Sequence, residues 1–201
     1  KRAKKKQWDV LGIEPSPDAS NYAKNQNIPI ITNFLENIDF TNQEKFGAIH
    51  MNAVLEHSNS PNQILKICYE VLEKNGMLIV ETPNDFNPLQ IIAHKFLKKD
   101  EWWVAPKQHL NYFNFKSLSN LLQRNGFEII LKQTTFPLEI FLLMGFDYTG
   151  NPELGLKKHQ ERMKFEQNMN SVQGNDLKQK IYSKFAEIGI GRRIILYAKK
   201  L

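Results

Sequence analysis

Polar residues follow the strand-like segments of this sequence at positions where they could contact a ligand. Glu14, Asn52, Asn84 and His109 each come after such a segment or its loop. In doubly wound sheets, ligands bind outside the carboxyl ends of the strands, where these side chains would meet. A carboxylate at that place can accept hydrogen bonds from both hydroxyls of a ribose, which makes Glu14 a candidate nucleotide-binding residue.

Two histidines are candidates for acid–base chemistry, because an imidazole titrates near neutral pH. His57 closes the segment 51–57, which lies between a predicted strand and a helix that starts at a proline. His109 opens the polar and aromatic segment 109–113, which also contains Tyr112. Each feature alone is also explained by helix capping or core packing, but their expected place at one sheet edge favours a site.

Short apolar runs alternate with amphipathic stretches over residues 8–131, which predicts an α/β domain with parallel strands. The predicted strands are 8–14, 28–31, 46–51, 77–80, 127–133 and 193–199, and the predicted helices before residue 137 are 16–26, 60–76, 88–97 and 115–124. Residues 137–187 are rich in Lys, Glu, Gln and Asn at helical spacing. We therefore expect one domain from residues 1–136 and 188–201, with 137–187 as an insertion of two or three helices.

The composition is that of a globular protein. The 201 residues are 41% hydrophobic and 24% charged, and the single cysteine, Cys68, excludes a disulfide framework or a cysteine-based zinc site. The longest apolar stretch, 136–146, is shorter than the about 20 residues that a membrane helix needs. With no signal peptide at the start, we expect a cytoplasmic protein without a membrane span.

The net charge of +6 lies at one end of the chain. Five of the 27 basic residues are among the first six positions, which contain no acid. The other residues carry 22 basic and 21 acidic groups. A nucleic-acid-binding face requires a basic patch on a folded surface, so we expect no nucleic-acid partner.

Four segments carry a resemblance to a known family: 12–16, 46–57, 72–84 and 126–129. In order and spacing they resemble the class I S-adenosylmethionine-dependent methyltransferases, in particular the branch with the ubiquinone-biosynthesis O-methyltransferases. The resemblance implies a Rossmann-like α/β sheet and S-adenosyl-L-methionine as the cofactor. It also implies methyl transfer to a small-molecule acceptor, and we expect O-methylation.

The resemblance assigns roles to individual residues. Glu14 matches the acid that binds the cofactor ribose. Asn33, Phe34 and Leu35 match the loop beside the adenine. Met51 and Asn52 match the strand end beside the methionine part. Asn84, His109 and Tyr112 fall where family members line the acceptor pocket. His57 or His109 would be the base for a hydroxyl acceptor.

Two departures from the family pattern affect these expectations. The quinone branch has a metal-binding acid where this chain has Ala53, and Glu56 with His57 alone would bind a divalent cation poorly, so we expect no metal. The Gly-x-Gly-x-Gly turn should precede the helix that ends near Gln7, whereas Gly189 and Gly191 precede a strand. We therefore expect that the first strand and the glycine loop are missing because the chain is truncated at its N-terminus.

Two other functions remain open at this point. A nicotinamide-dependent reductase also has an acid after its second strand, but no Tyr-x-x-x-Lys pair stands at a matching strand end. A non-catalytic module or partner subunit is favoured by the missing glycine loop and disfavoured by Glu14 and Asn52. The insertion is either a lid over the acceptor pocket, or a helical pair that thickens the sheet or forms a homodimer contact.

Overall fold

The computed structural model describes residues 6–201, which divide into two compact units. The first unit ends at Glu44 and the second begins at Lys45. Most of the basic N-terminal segment, residues 1–5, lies outside the described residues.

Among its described residues, the first unit contains a pair of short parallel strands and one helix. Its elements are β1 (Gly12–Ile13), α1 (Pro17–Lys24), β2 (Ile30–Ile31) and a 3₁₀ turn at Leu35–Asn37. Helix α1 begins as predicted, because the Ser16 hydroxyl accepts a hydrogen bond from the Ala19 amide and Pro17 occupies the first turn. Both strands are shorter than predicted. One reason is that Pro29 has no N–H to donate to a neighbouring strand.

The second unit contains a four-stranded sheet and six helices among its described residues. Its elements, in order, are β3 (Phe46–Asn52), a 3₁₀ turn (Leu55–His57), α2 (Pro61–Val71), β4 (Leu72–Pro83), α3 (Pro88–Leu97), α4 (Phe115–Arg124), β5 (Phe127–Thr134), α5 (Glu139–Leu143), α6 (Pro152–Ser171), α7 (Asn175–Glu187) and β6 (Arg193–Lys200). The strand order is β3-β4-β6-β5. Strands β3 and β4 are parallel, and β6 is antiparallel to both β4 and β5.

The strand registers bring several chain segments to one edge of this sheet. Asn52 pairs with Glu81, Pro83 pairs with Arg193, and Thr134 pairs with Ile194. The carboxyl ends of β3, β4 and β5 therefore lie beside the start of β6. We call this edge the carboxyl edge.

The core of the second unit follows the periodicities of the sequence. In β6 alternate residues are fully buried: Ile194, Leu196 and Ala198. In α4, Leu118 and Leu122 are also fully buried and face the sheet, as predicted. Each of the buried Leu and Ile side chains contributes roughly 1.5–3 kcal/mol by leaving water, and together they fix the strands that carry the carboxyl edge.

Helix α2 differs from the prediction at both ends. Ser60 makes no side-chain capping bond, and the helix ends at Val71, not at the predicted Asn75–Gly76 turn. Leu72 is already extended and pairs with Phe46, so β4 is longer than predicted. A distant side chain contributes to this early end, since the Lys200 ammonium donates to the carbonyl oxygens of Tyr69 and Leu72.

The segment between β5 and β6 is helical, as predicted, and contains α5, α6 and α7. Helix α7 packs along β5, where Ser183 donates to the Lys132 carbonyl and Gln133 donates to the Gln179 carbonyl. These contacts cover part of the edge strand. None of the helices in residues 6–201 has the length and apolarity that crossing a membrane requires.

Candidate functional site

In the first unit, Glu14 follows β1 directly and is partly buried. Its backbone N–H donates to the Ile31 carbonyl at 3.1 Å, which places the residue beside the end of β2. The carboxylate oxygen Oε1 accepts a hydrogen bond from the Ser16 amide at 2.8 Å. Within residues 6–201 the other oxygen, Oε2, has no hydrogen-bond partner. The carboxylate is thus oriented by its own turn and keeps an oxygen for a ligand.

The loop after β2 carries the residues expected to border an adenine. The Asn33 side chain accepts from the Phe34 amide at 2.9 Å, which holds the loop in a tight turn before the 3₁₀ turn that starts at Leu35. The Phe34 ring is 60% exposed. An exposed aromatic ring beside a strand end offers a flat apolar face to a planar base.

In the second unit, Met51 and Asn52 are the last two residues of β3, and their side chains lie in different surroundings. The Met51 side chain is buried and lies against the Cys68 thiol, so it belongs to the core. Asn52 is exposed, and its Oδ1 accepts from Arg193 Nη2 at 2.6 Å. The chain turns sharply at the next residue, since Ala53 has a φ of +55° and donates its N–H to the Glu81 carbonyl. Asn52 is therefore the side chain at this strand end that faces outward.

The structure brings His57, His109 and Tyr112 together. The two imidazoles lie edge to face with centroids 5.0 Å apart, and His109 lies 6.0 Å from the Tyr112 ring. His57 Nδ1 is 2.6 Å from the Gln108 carbonyl, which can only accept, so Nδ1 carries a proton. In the neutral ring, Nε2 then holds the lone pair that a general base requires.

Tyr112 belongs to an aromatic cluster near these histidines. Its hydroxyl oxygen accepts from the Ala105 amide, which leaves the hydroxyl proton for another partner. Phe86 lies edge to face with both Tyr112 and Trp103, and Trp103 packs on Trp102 at 4.8 Å. In the part of the chain that the structure describes, neither indole N–H has an acceptor. The cluster provides an apolar wall of rings packed edge to face, and its two indole N–H groups are buried.

Asn84 has a structural contact that its sequence position did not reveal. The side chain is fully buried, and Nδ2 donates to the carbonyl oxygens of Gly189 and Gly191 at 2.9 Å each. The amide therefore ties the end of β4 to the loop before β6. Its Oδ1 is buried and has no partner among the described residues.

Sequence reasoning missed three charged residues near the carboxyl edge. Asp85 and Glu139 are buried, and the positive charge of Arg192 favours the ionised form of both carboxylates. Burial raises the pKa of Asp85 to about 6. The positive charge of Arg192 opposes this rise, and the negative charge of Glu56 adds to it. Burial also raises the pKa of Glu139. The signal that could have revealed Asp85 is its place directly after Asn84, but no local pattern marks Glu139 or Arg192.

Glu56 is a further buried acid, with a structural partner. Its Oε2 accepts from the Thr82 hydroxyl at 3.0 Å, and its backbone carbonyl accepts from the amides of Leu110 and Asn111. These bonds hold the aromatic segment against the 3₁₀ turn of His57. Among residues 6–201, no three His, Cys, Asp or Glu side chains form a group suited to a metal ion.

A cleft of about 730 Å³ lies on the flank of the second unit, between α4, β5 and the end of α7. The loop 86–88 forms one of its walls. His57, His109 and Tyr112 are not among its lining residues. Phe86 lines the cleft and also contacts the Tyr112 ring, so the cleft borders the aromatic cluster without including these three residues.

Sequence comparison assigns the chain to a family. A family model described as a methyltransferase domain matches residues 1–132. The ubiquinone biosynthesis O-methyltransferase of Glaesserella parasuis serovar 5 (strain SH0165) is 29% identical over 127 residues, which are 57% of this chain and 52% of that protein. The alignment therefore spans about half the length of this curated relative.

Comparison with solved structures agrees with this family assignment. The chain is similar to a SAM-dependent methyltransferase from Archaeoglobus fulgidus, with a TM-score of 0.61 and 12% identity over 99% of this chain and 79% of that one. It is also similar to mycolic acid cyclopropane synthase CmaA1 complexed with SAH, with a TM-score of 0.56 and 16% identity over 99% and 73% of the two chains. At such identities the similarity shows the fold. The chain belongs to the methyltransferase domain family and has the Rossmann-like fold of class I S-adenosylmethionine-dependent methyltransferases.

Proposed function

We propose that this chain binds S-adenosylmethionine and catalyses methyl transfer to an oxygen of a small-molecule acceptor. The observation that carries the proposal is the Glu14 carboxylate, which is oriented by the Ser16 amide and keeps one oxygen without a partner within residues 6–201. In a chain of this family, a charged acceptor at the end of a strand fits the two hydroxyls of the cofactor ribose. The name of the curated relative, an O-methyltransferase, supports an oxygen acceptor.

The residues present fit parts of this cofactor. Glu14 would hold the ribose, and Phe34 with its neighbours Asn33 and Leu35 would border the adenine. The backbone of Met51 and the side chain of Asn52 would hold the methionine part. When bound, the cofactor supplies an electrophilic methyl group on a sulfonium.

The acceptor would bind beside the histidine and tyrosine cluster. The aromatic wall orients a small molecule, and the Tyr112 hydroxyl donates a hydrogen bond to it. His57 Nε2 removes the proton of an acceptor hydroxyl, while Gln108 holds the ring through Nδ1. Displacement at a methyl group needs little covalent help, so most of the rate enhancement comes from positioning the acceptor.

The helical segment 137–187 would act as a lid that supplies part of the acceptor pocket and excludes water. It leaves the sheet at the end of β5 and returns at the start of β6, both of which lie at the carboxyl edge. A buried cation joins α6 to the loop that follows α5, because the Lys158 ammonium of α6 lies 3.5 Å from the centre of the Phe146 ring. Such an internal contact allows the segment to move as a unit.

A second candidate function is a non-catalytic module of the same fold. One observation favours it: none of the described strands is followed by a glycine-rich turn, since β1 leads into Glu14, β3 into Ala53 and β4 into Asn84. A catalytic chain binds S-adenosylmethionine and produces S-adenosylhomocysteine, whereas this module would do neither.

Titration calorimetry with S-adenosylhomocysteine tests the proposal. Glu14→Ala removes a charged acceptor for two hydroxyls, which costs roughly 1.5–3 kcal/mol and should weaken binding by about 10-fold or more. Glu44→Gln, an exposed change in the same unit, is the matched control and should bind normally. Equal affinity of the unaltered chain and Glu14→Ala would remove the ribose assignment. Production of S-adenosylhomocysteine in a panel of phenols, alcohols and amines then tests turnover.

A further inference from the structure

Arg193 joins three neighbouring strands at the carboxyl edge. Its Nη2 donates to Asn52 Oδ1 on β3 at 2.6 Å, and its Nε lies 2.8 Å from Glu81 Oε1 on β4. Asn52 and Glu81 are register partners, and Arg193 pairs with Pro83, two residues further along β4. The three side chains thus stand on one face of the sheet, where period-two alternation places them.

This contact determines which way the Asn52 amide points. A guanidinium has only donors, so the Asn52 atom that faces it must be the oxygen. The amide nitrogen then points away from Arg193 with two N–H groups available. At the end of β3, Asn52 therefore offers donors to a ligand, and its one acceptor atom is already engaged.

The surroundings hold both partners in place. The Arg193–Glu81 ion pair is partly buried, with side-chain exposures of 31% and 20%, so it is screened less than a surface pair. The backbone after Asn52 is fixed by the hydrogen bond from the Ala53 N–H to the Glu81 carbonyl. The planar guanidinium can reach two groups at once, which a lysine ammonium at the same position would not do as well.

We propose that Arg193 is a positioning residue that makes Asn52 a hydrogen-bond donor, so that Asn52 binds the carboxylate of the cofactor's methionine part and not its ammonium. The inference rests on the proposed function. Of the two charged groups on that part of the cofactor, only the carboxylate accepts hydrogen bonds. In this proposal Arg193 acts through Asn52.

Two matched probes separate this proposal from a general structural effect. S-adenosylhomocysteine has the amino-acid part, and 5′-methylthioadenosine lacks it. Asn52→Asp removes the donors, so calorimetry should show roughly 10-fold or greater weakening for the first probe and little change for the second. Tighter binding of S-adenosylhomocysteine by Asn52→Asp would mean that an acceptor faces the ammonium, and equal losses for both probes would mean general damage. Either result overturns the proposal.

A double-mutant cycle tests whether Arg193 acts through Asn52. Arg193→Gln should weaken S-adenosylhomocysteine binding in the normal background and cause no further loss in Asn52→Ala. The same loss in both backgrounds would contradict the proposal. If Arg193→Gln does not fold, Arg193→Lys replaces it in the cycle, because lysine keeps the positive charge beside Glu81. Arg193→Lys should weaken S-adenosylhomocysteine binding only in part.

An NMR measurement keeps the inference independent of cofactor binding. If the unaltered chain binds neither probe, the proposed function fails. The orientation of Asn52 is then tested by its side-chain amide signals in ¹H–¹⁵N spectra. Arg193→Gln should shift these signals, while Lys199→Gln, on the same strand, should not. Unchanged Asn52 signals in Arg193→Gln would overturn the positioning role.

Discussion

His57 and His109 lie edge to face with ring centroids 5.0 Å apart, although more than fifty positions separate them in the sequence. The Gln108 carbonyl fixes the tautomer of His57, whereas His109 Nδ1 is buried without a partner among the described residues. The two rings are therefore not equivalent. In the proposed function His57 Nε2 accepts the proton, and the His109 ring packs beside it.

This asymmetry gives the first prediction. His57→Asn keeps a side-chain N–H donor near the Gln108 carbonyl and removes the basic nitrogen. Turnover with a hydroxyl acceptor should fall by roughly 10²–10⁴-fold, the usual contribution of a general base. Affinity for S-adenosylhomocysteine should not change.

His159 provides the control for that experiment, since it is an exposed histidine on α6. His159→Asn should have normal turnover. Retained turnover in His57→Asn would move the role of base to another group. A parallel loss of cofactor affinity would point to misfolding of the segment around the 3₁₀ turn.

The second prediction concerns the pH dependence of stability. Burial raises the pKa of Asp85 from 3.8 to about 6, so the folded state favours the protonated acid. The contribution of Asp85 to the free energy of unfolding is therefore fully present below pH 3.8 and is lost as the pH rises through about 6. The loss is about 3 kcal/mol at most, because one pKa unit corresponds to about 1.4 kcal/mol.

Urea unfolding between about pH 4 and 8 measures this effect, since that range spans the titration of the folded and unfolded acid. Asp85→Asn removes the titration, so its free energy of unfolding should fall less than that of the unaltered chain over this range. Asp100→Asn, an exposed change, should follow the unaltered chain. Identical pH profiles for all three proteins would show that Asp85 titrates normally.

The third prediction concerns the loop that Asn84 holds. Gly191 has a φ of +124°, and a Cβ there would lie 2.7 Å from the Thr134 Cβ. Gly191→Ala combines backbone strain with a clash and should cost roughly 2–4 kcal/mol. Gly145 also has a positive φ, but a Cβ added there would meet no atom within 4 Å, so Gly145→Ala isolates the strain, about 1–2 kcal/mol. Equal losses in urea unfolding would contradict the clash.

Local signals were sufficient to predict much of the fold. Ser16 and Pro17 start α1 as expected, and α3 and α4 have the predicted limits of 88–97 and 115–124. These helices depend on capping residues and on 3.6-residue periodicity, which act within a few positions. The early end of α2 was not predictable, because Lys200 contributes to it from the far end of the chain.

The site was predicted less completely, for a related reason. The sequence indicated Asn52 as a candidate, but not that Arg193, 141 positions away, donates to its amide oxygen. Asn84 was expected in the acceptor pocket, yet its amide N–H groups bind the loop before β6. A sequence shows which polar residues follow strands. Which of them are already engaged by other residues depends on long-range packing, which no local pattern encodes.

The last prediction concerns the proposed lid. Removing residues 150–174 deletes α6 and leaves α5 and α7, which contact α3 and β5. If the segment covers the acceptor, S-adenosylhomocysteine should bind with near-normal affinity while turnover is lost, because water would enter the reaction site. Lys158→Met is a milder variant. It keeps the apolar stem of a buried side chain and removes the ammonium above the Phe146 ring, so turnover should fall by a few-fold.

The two readouts separate the lid from a purely structural role. A segment that only thickens the sheet or contacts a second copy would leave both cofactor affinity and turnover unchanged after the deletion. Loss of both would indicate that α7 no longer packs on β5, since Tyr182 and Lys178 of α7 bond to Glu166 and Asn170 of α6. The variant Lys158→Met avoids that ambiguity because those four residues remain. Full turnover in Lys158→Met together with full turnover in the deletion would exclude the lid.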